Sequence, residues 1–574
     1  MLFYILRDKE GGIYPSPFPF LDKLYNGACS YLYPGCPLEF IKRYLQDINA
    51  LMPSQNEILR EISRGLKKEG SLFPGQVQWL EIDASSSYKE ECQKVDLEKK
   101  LEASFLSMIE GRLITEGEFP SLAGALGIRA AELPVLLHLA VIKGYGEWRP
   151  GLTRTNNSWR CERCGDENCQ RWPSYYGEAA TCLGCKSIGP VTSLQVIFRS
   201  YGKERQGRKK KREEHTQPNQ DWQFTPAQSV AAADLLLFIN KLTVKEALVW
   251  AACGAGKTEI TFPVIEQYLQ EGKRVLYAAP RQDVVHDIQP RLQRYFNSYK
   301  VKIMSGLVQA DWTACPLTVA TTHQILKFYR AFDLIILDEM DAYPYADNRV
   351  LEAGINRAIK NSGKIIYLTA TPSDSVLQKV RRWECYLTRL PARFHGYPLP
   401  VPEFLKIEPP RLDLGRITYS RSLLAIRDYL QELMFEGQLF VFVPTISMVG
   451  KWVEALSSLF KDKKITGSWS SDPERKNNVT NFISGNYDLI VCTSILERGI
   501  TVPKAQVAVL YADHALYDVR TLVQMAGRVG RTAASPQGRV LFIAGRQSKA
   551  IKDAIRWIKD QNELAAQGGF LRDR

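Results

Sequence analysis

Three short stretches of this 574-residue chain combine residue types and spacings that can do chemistry. The first is Ala251-Ala-Cys-Gly254-Ala255-Gly256-Lys257-Thr258, which closes the apolar run ALVWA and opens a helical stretch. A glycine turn in that place leaves backbone N–H groups to cradle phosphates at a helix N-terminus. Gly254, Ala255 and Gly256 are expected to form the cradle. Lys257 would neutralise the β/γ-phosphates of ATP, and the Thr258 hydroxyl would ligate Mg2+. The strict phosphate-loop pattern has Gly where Ala251 stands, so the match to that template is imperfect.

The second stretch follows the apolar run Leu334-Ile-Ile-Leu337, which ends in Asp338-Glu339-Met340-Asp341. Aspartate at the C-terminal end of a strand stands where a second Mg2+ contact is needed, and Glu339 can polarise the attacking water. By itself the tetrapeptide reads equally as a helix cap or a solvated acidic turn; the phosphate loop upstream favours the catalytic reading. The third stretch holds five of the twelve cysteines. Cys161-x-x-Cys164 and Cys182-x-x-Cys185 are two knuckles separated by 17 residues, and each can supply adjacent corners of a tetrahedral Zn2+ site. Cys169 is expected to be a bystander. A redox device would place one such pair at a helix start in a thioredoxin-like unit, a context that is absent. An iron–sulfur cluster is the remaining alternative.

Ahead of the phosphate loop, Trp222-Gln-Phe224-Thr225-Pro226-Ala-Gln228 precedes a helix. The aromatic can stack on a base and the two-sided Gln228 amide can read an adenine edge. The same residues also form an ordinary helix start, with Thr225 as cap and Pro226 at the first position. Both readings can hold together.

These groups need a scaffold, and the sequence indicates its class. From residue 222 onward, short apolar runs (RVLYAAP, LTVATT, DLIILDE, KIIYLTATP, then QLFVFVPT, DLIVCTS, VAVLYADH, GRVLFIAG) alternate with amphipathic segments. That texture predicts α/β architecture with parallel sheets and crossover helices. The proline-rich YPLPVPEFLKIEPPRLD divides the series and reads as a linker, giving one lobe over 221–396 and a second over 397–574. Upstream, residues 1–95 are mixed and suggest no function. Residues 96–153 look helical, with three helices and a short Gly-containing hairpin that fit either a winged helix, its third helix in a DNA groove, or a bundle that merely packs. His138 on that apolar face reads as a core histidine. Residues 154–200 form the cysteine module. Within the linker 201–220, positions 203 to 212 hold seven Lys or Arg against one acid, a solvated run that can also touch phosphates.

With 45% apolar and 24% charged residues the composition is that of a globular protein. The net charge of +13 suits a polyanionic partner, nucleic acid first and an acidic membrane surface second. No signal peptide and no run of 18 apolar residues is expected, so a reducing cytoplasmic setting is the default, with attachment to the inner face of the membrane left open.

Phosphate loop, Asp338-Glu339-Met340-Asp341, Thr369-Ala370-Thr371-Pro372 and Gln524-Met-Ala-Gly527-Arg528-Val-Gly530-Arg531 occur in an order that resembles the superfamily 2 (DEAD/DEAH-type) helicases and translocases. Ala251 is ordinary in that superfamily, which removes the misfit. The resemblance spans about residues 222 to 551. It implies two RecA-like lobes with ATP between them, Arg528 and Arg531 as arginine fingers, and Gln524 orienting water or phosphate. It also implies that Thr369 and Thr371 couple hydrolysis to lobe movement. Pro280, Arg281, Thr321, Thr322, Thr493 and Arg498 would grip the strand backbone without regard to sequence.

A four-cysteine module ahead of an Asp-Glu-x-Asp motor further resembles the late-competence ComFA proteins of Gram-positive bacteria. That likeness implies an ATP-, Mg2+- and Zn2+-dependent single-stranded DNA translocase for uptake of transforming DNA. Its partners would be competence or DNA-processing proteins, with oligomerisation possible. It leaves about the first 150 residues uncovered. A repair, replication-restart or RNA helicase is the alternative within the class, and a non-catalytic nucleic-acid-binding adaptor is the alternative outside it.

Overall fold

The computed structural model describes residues 1–10, 12–46, 78–82, 98–155, 158–201, 223–241, 243–307, 310–339, 348–413, 420–494 and 501–572. Trp222, the basic run 202–220, Met340, Asp341 and Arg498 lie outside the described residues. Contacts group the chain into two compact units. One comprises Met1–Pro218, Glu266–Leu337 and Ala342–Ile365; the other comprises Asn219–Ile265, Asp338–Asp341 and Ile366–Arg574.

The N-terminal residues build a four-stranded sheet in the order Ile13–Ser16, Tyr4–Asp8, Ala28–Tyr33, Gln78–Glu81, with antiparallel pairing throughout. Next come helix Ala103–Ile109, strand Leu113–Thr115, and helices Phe119–Leu126 and Leu133–Ile142. Pro134 lies in the first turn of the last helix, where its missing N–H is tolerated. This helix is apolar on all sides, and Leu133, Leu136, Leu137, His138, Leu139 and Ala140 are all buried. Pro134, Val135, Val141 and Ile142 are half-buried. His138 Nδ1 accepts from Trp148 Nε1–H at 3.2 Å, and Nε2 faces Asp22 Oδ2 at 2.8 Å and Ser16 Oγ at 3.1 Å. This Ser–His–Asp trio is sealed in the core, out of reach of any substrate.

The hairpin expected after that helix is split. Strand Gly146–Pro150 pairs with Val196–Ser200, which also pairs with Leu113–Thr115, so the cysteine module is inserted between the two strands of one sheet. The module is two antiparallel hairpins, Leu152–Thr155 with Ser158–Cys161 and Cys169–Ser174 with Gly177–Cys182. One core runs beneath these elements: Phe3, Phe105, Leu137, Trp148 and Phe198 pack together with Trp312. Trp148 meets Phe198 edge-on at 5.4 Å, a favoured arrangement of two ring quadrupoles.

Seven strands form the first motor sheet in the order Val301–Met304, Leu317–Thr321, Val275–Ala279, Phe332–Asp338, Ile359–Thr369, Glu246–Ala251, Cys385–Leu390. Six form the second, in the order Glu403–Lys406, Val540–Ala544, Gln506–Leu510, Leu439–Phe442, Leu489–Cys492, Ile465–Ser468, all pairs parallel. Strands such as Leu439–Phe442 and Leu489–Cys492 are buried along their whole length. That is why they read as unbroken apolar runs rather than alternating ones. These are the two parallel-sheet, RecA-like lobes that the sequence pattern implies. One expectation needs refining: Glu403–Lys406, inside the stretch read as linker, is an edge strand of the second sheet. Prolines on both sides hide it, and an edge is where a strand tolerates them.

Candidate active site and four-cysteine centre

The phosphate loop leaves strand Glu246–Ala251 and turns through Gly254 and Gly256, both left-handed at φ 79° and 80°. A side chain at Gly256 would strike the Gln228 amide, 2.2 Å from its Nε2. Glycine is thus required there for both backbone angle and space. Gln228 is buried and its amide is engaged at both ends. Oε1 accepts from Thr225 N–H at 3.1 Å, and Nε2 donates to the Ala255 carbonyl at 3.0 Å. With Thr225 Oγ1 accepting from Gln228 N–H, this is a complete capping box that braces the loop from below. The helix-start reading is therefore realised. One amide hydrogen and one oxygen lone pair are left over from these bonds. Phe224 is half-buried just ahead of it.

Lys257 Nζ lies 3.5 Å from Asp338 Oδ1, with Thr258 buried alongside. Asp338 is the last residue of its strand, and its carboxylate accepts from Glu339 N–H at 2.9 Å. Glu339 has φ 53°, a left-handed conformation that is strained for glutamate. The chain turns out of the sheet at that point, beside the phosphate loop. Thr369 and Thr371 are buried at the end of strand Ile359–Thr369, where Thr369 Oγ1 accepts from Thr371 N–H at 3.0 Å. Trp250 Nε1–H ties the phosphate-loop strand to the same turn by donating to the Ala370 carbonyl at 3.1 Å.

The Gln524–Arg531 segment ends helix Val519–Ala526 and sits directly on the phosphate loop. Cys253 Sγ–H points to Gln524 Oε1 at 3.8 Å, and a side-chain carbon at Gly527 would lie 2.7 Å from Cys253 Cβ. Arg528 is buried, and Arg531 Nε–H donates to the Gly527 carbonyl at 2.8 Å. Sequence reasoning missed the residue that joins these parts. Arg393 is buried, with Nε–H donating to the Cys253 carbonyl at 3.1 Å and Nη1–H to the carbonyls of Val529 at 2.7 Å and Gly530 at 2.5 Å. Burial first, and the neighbouring Arg531 charge second, pull its pKa down to about 10; the guanidinium is still charged at neutral pH. His395 Nε2–H adds a bond to the Gly530 carbonyl at 2.9 Å, its tautomer fixed by Tyr397 N–H donating to Nδ1 at 3.1 Å. Its only sequence signal is a basic pair, Arg393 and His395, just after a strand end.

Of the residues expected at the strand, Arg281 caps helix Gln282–Tyr295 and holds Asp283 through two bonds of 3.2 and 3.0 Å. Pro280, Thr321, Thr322 and Thr493 are buried at strand ends rather than displayed on loop tips. Among the described residues, Thr322 Oγ1 has no hydrogen-bond partner.

The four-cysteine centre is closed. Cys161, Cys164, Cys182 and Cys185 are all buried, and their sulfurs lie within 4.8 Å of one another. Cys161 and Cys185 sulfurs are 3.6 Å apart, and those of Cys164 and Cys182 are 3.4 Å apart. A tetrahedral site with Zn–S bonds of ~2.3 Å puts its sulfurs roughly 3.8 Å apart, so the donor set fits Zn2+ in number, type and spacing. Cys169 stands aside, its thiol directed at the Trp159 carbonyl at 3.5 Å. The contact with Cys164 lowers the pKa of Cys161, but those with Cys182 and Cys185, together with burial, raise it overall, and contacts with all three other thiols raise that of Cys164. Hydrogen bonds from Cys161, Cys164 and Cys182, with the Arg163 charge, lower that of Cys185. Arg163 is the supporting residue that was missed. Buried inside the first knuckle, its Nε–H donates to Cys185 Sγ at 3.2 Å and Nη2–H to the carbonyls of Cys185 (3.3 Å) and Gly189. On the motor side, Arg357 Nη1–H donates to the Glu162 carbonyl at 2.6 Å.

Among the described residues no helix is long and apolar enough to cross a membrane. Two family models match: one described as the type III restriction enzyme res subunit over residues 221–374, and one as the helicase conserved C-terminal domain over residues 423–533. The chain is 34% identical to the competence protein ComFA of Bacillus subtilis (strain 168) over 431 residues, 74% of this chain and 90% of that one. It is 33% identical to the competence protein ComFA of Streptococcus pneumoniae (strain ATCC BAA-255 / R6) over 423 residues, 72% of this chain and 93% of the other. Among solved structures it is similar to S. cerevisiae Dbp5 bound to RNA and ADP BeF3, with TM-score 0.45, 16% identity, and coverage of 60% of this chain and 92% of that one.

Proposed function

The chain belongs to the ComFA family of competence proteins and is a helicase-type ATP hydrolase, and from that premise we propose that it pulls single-stranded DNA into the cytosol during uptake of transforming DNA. The observation that supports this reading is the seating of Gln524 and Gly527 on Cys253 of the phosphate loop. In the proposed cycle, ATP rests on the N–H groups of Gly254, Ala255 and Gly256. Lys257 leaves Asp338 for the β/γ-phosphates, and Phe224 with the free valences of Gln228 meets the base. Mg2+, held by Thr258 and Asp338, would neutralise charge between the β- and γ-phosphates. Glu339 accepts a proton from the attacking water, which Gln524 helps to orient. Arg528 and Arg531 stabilise the charge that develops on the γ-phosphoryl oxygens.

Loss of that phosphate removes the anion to which both lobes are bound, and Thr369 and Thr371 carry the change into the sheet. Arg281 exchanges Asp283 for a strand phosphate. Sequence-independent contacts of this kind are what a translocating motor requires. The Zn2+ module, residues 154–200, shapes a surface for DNA or for a competence or DNA-processing protein. The motor works in the cytoplasm at the inner face of the membrane.

ATP hydrolysis measured with single-stranded DNA, duplex DNA and RNA tests the proposal. Single strands should stimulate most, and Glu339→Gln should lower turnover by roughly 100-fold or more while ATP still binds. Stimulation by RNA alone would sink the DNA-uptake reading. Full turnover in the Glu339→Gln variant would sink the catalytic one.

A further inference from the structure

A cavity of about 180 Å3 lies where the N-terminal elements meet the first motor sheet, lined among others by Arg112, Glu118, Ser305, Gly306, Gln324 and Lys327. Arg112 is held there by its backbone. Gly111, in a left-handed turn, is pressed so closely on Ala331 that a side chain would come within 2.7 Å of it. Its carbonyl accepts from Tyr329 N–H at 2.9 Å, and Arg112 bridges to Phe328. The Arg112 side chain is 5% exposed and lies between two rings, 4.7 Å from the Phe328 centroid and 5.4 Å from that of Trp312. Among the described residues its guanidinium has no hydrogen-bond acceptor. Its N–H donors are left without a protein acceptor beside the cavity that Arg112 lines. Burial, with Arg274 nearby, brings its pKa down to about 10, so the charge persists.

The acids around the cavity are already answered. Glu118 pairs with Lys327 at 3.2 Å, and Asp311 pairs with Lys300 at 3.6 Å and Lys302 at 3.8 Å. What remains is the Arg112 charge, stacked between rings with its edge left to bind a forked oxyanion. The volume is well under the ~300–1,000 Å3 of pockets that take a cofactor-sized ligand, and so suits one phosphate group. The opposite wall comes from the turn after strand Val301–Met304 and from the segment directly following Thr321 and Thr322.

We propose that the Arg112 cavity is a phosphate-group site, occupied by one backbone phosphate of the strand engaged by the motor. The strand as occupant rests on the translocase reading; the anion site does not. The test uses the full chain with Arg112→Gln and with Gln324→Glu, which puts a carboxylate on the cavity wall to satisfy Arg112 internally and repel an anion. Oligo-dT affinity is measured against salt. Both variants should bind roughly tenfold more weakly, with the slope of log K on log salt smaller by about 0.7. In a second arm, inorganic phosphate is compared with chloride at equal ionic strength, the nucleotide site being filled with a non-hydrolysable ATP analogue. A phosphate-dependent rise in melting temperature in the unsubstituted chain that both variants lose, with strand slopes unmoved, assigns the same site to free phosphate. Slopes and phosphate response both unmoved in the Gln324→Glu chain overturn the proposal, and leave Arg112 as a brace between two rings. If the unsubstituted chain binds no strand at all, the translocase reading fails, and the phosphate arm decides the site by itself.

Discussion

The four-cysteine centre and the nucleotide site are each held by one buried arginine that donates to backbone carbonyls, yet the two arginines close very different distances. Arg163 binds Cys185 Sγ and the carbonyls of Cys185 and Gly189, all within the same two-hairpin module. Arg393 gathers the Cys253 carbonyl from the phosphate loop and those of Val529 and Gly530 from the arginine-bearing turn, partners far apart along the chain. The first arrangement is complete inside one local fold. The second exists only while two separate turns face each other. A local lock suits a structural metal, and a long-range one suits a site that must be assembled to work.

The largest effect should come from the local lock. Structural zinc contributes about 10–16 kcal/mol to the folding of small zinc modules. Cys164→Ser with Cys182→Ser should therefore take bound metal from about one equivalent to none, measured by elemental analysis, and expose residues 152–195 to protease. Cys169→Ser should keep the full equivalent, because its sulfur is directed at the Trp159 carbonyl. Metal loss in the Cys169 variant would remove the distinction between ligand and bystander.

Breaking the long-range lock should act on turnover. Arg393→Ala leaves the Cys253 and Val529 carbonyls without their buried donor, while Gly530 keeps His395, at about 1–3 kcal/mol for each group left unsatisfied. Stability to urea should fall by roughly 3 kcal/mol and kcat by about 100-fold, with KM for ATP changed far less because Lys257 and the loop glycines remain. Arg393→Lys should recover part of the stability and little of kcat, since an ammonium cannot span the same carbonyls as a planar fork. Equal loss in kcat and in ATP binding would count against an assembly role. Arg163→Ala, by contrast, should weaken metal binding by about 10–100-fold, the usual cost of losing a group that supports a ligand. In a metal-competition titration the loss should appear in metal affinity while ATP turnover stays put.

The same contrast explains what could be read in advance. Lys257, Asp338 and the paired cysteines announce themselves because their chemistry depends on spacing within a few residues. The buried parallel strands are equally plain, since two covered faces leave a continuous apolar run. Pairings that close over long separations carry no such mark. Strand Val196–Ser200 completes a sheet begun before the cysteine module. Strand Glu403–Lys406 hides among prolines that an edge position tolerates. Helix Leu133–Ile142 is apolar all round, so its pattern does not mark which face packs. Arg393 is one basic residue beside a strand end, and its role depends wholly on residues more than a hundred positions away.

The smallest test lies on the bracing beneath the phosphate loop, where the two kinds of lock meet. Thr225 and Gln228 form a local capping box, and the same Gln228 reaches the Ala255 carbonyl across the turn. Thr225→Ala removes the cap and should cost about 1 kcal/mol, read as a modest fall in melting temperature. If the box served only its own helix, ATP binding would not change. Gln228 Nε2 sits where a Gly256 side chain would be, 2.2 Å away, so freeing its other end should let the loop shift and raise KM for ATP about two- to threefold, the fold-change that roughly half of such a cost would produce. A KM that stays fixed while stability falls would confine the capping box to helix formation, and would leave Arg393 as the support that decides the shape of the loop.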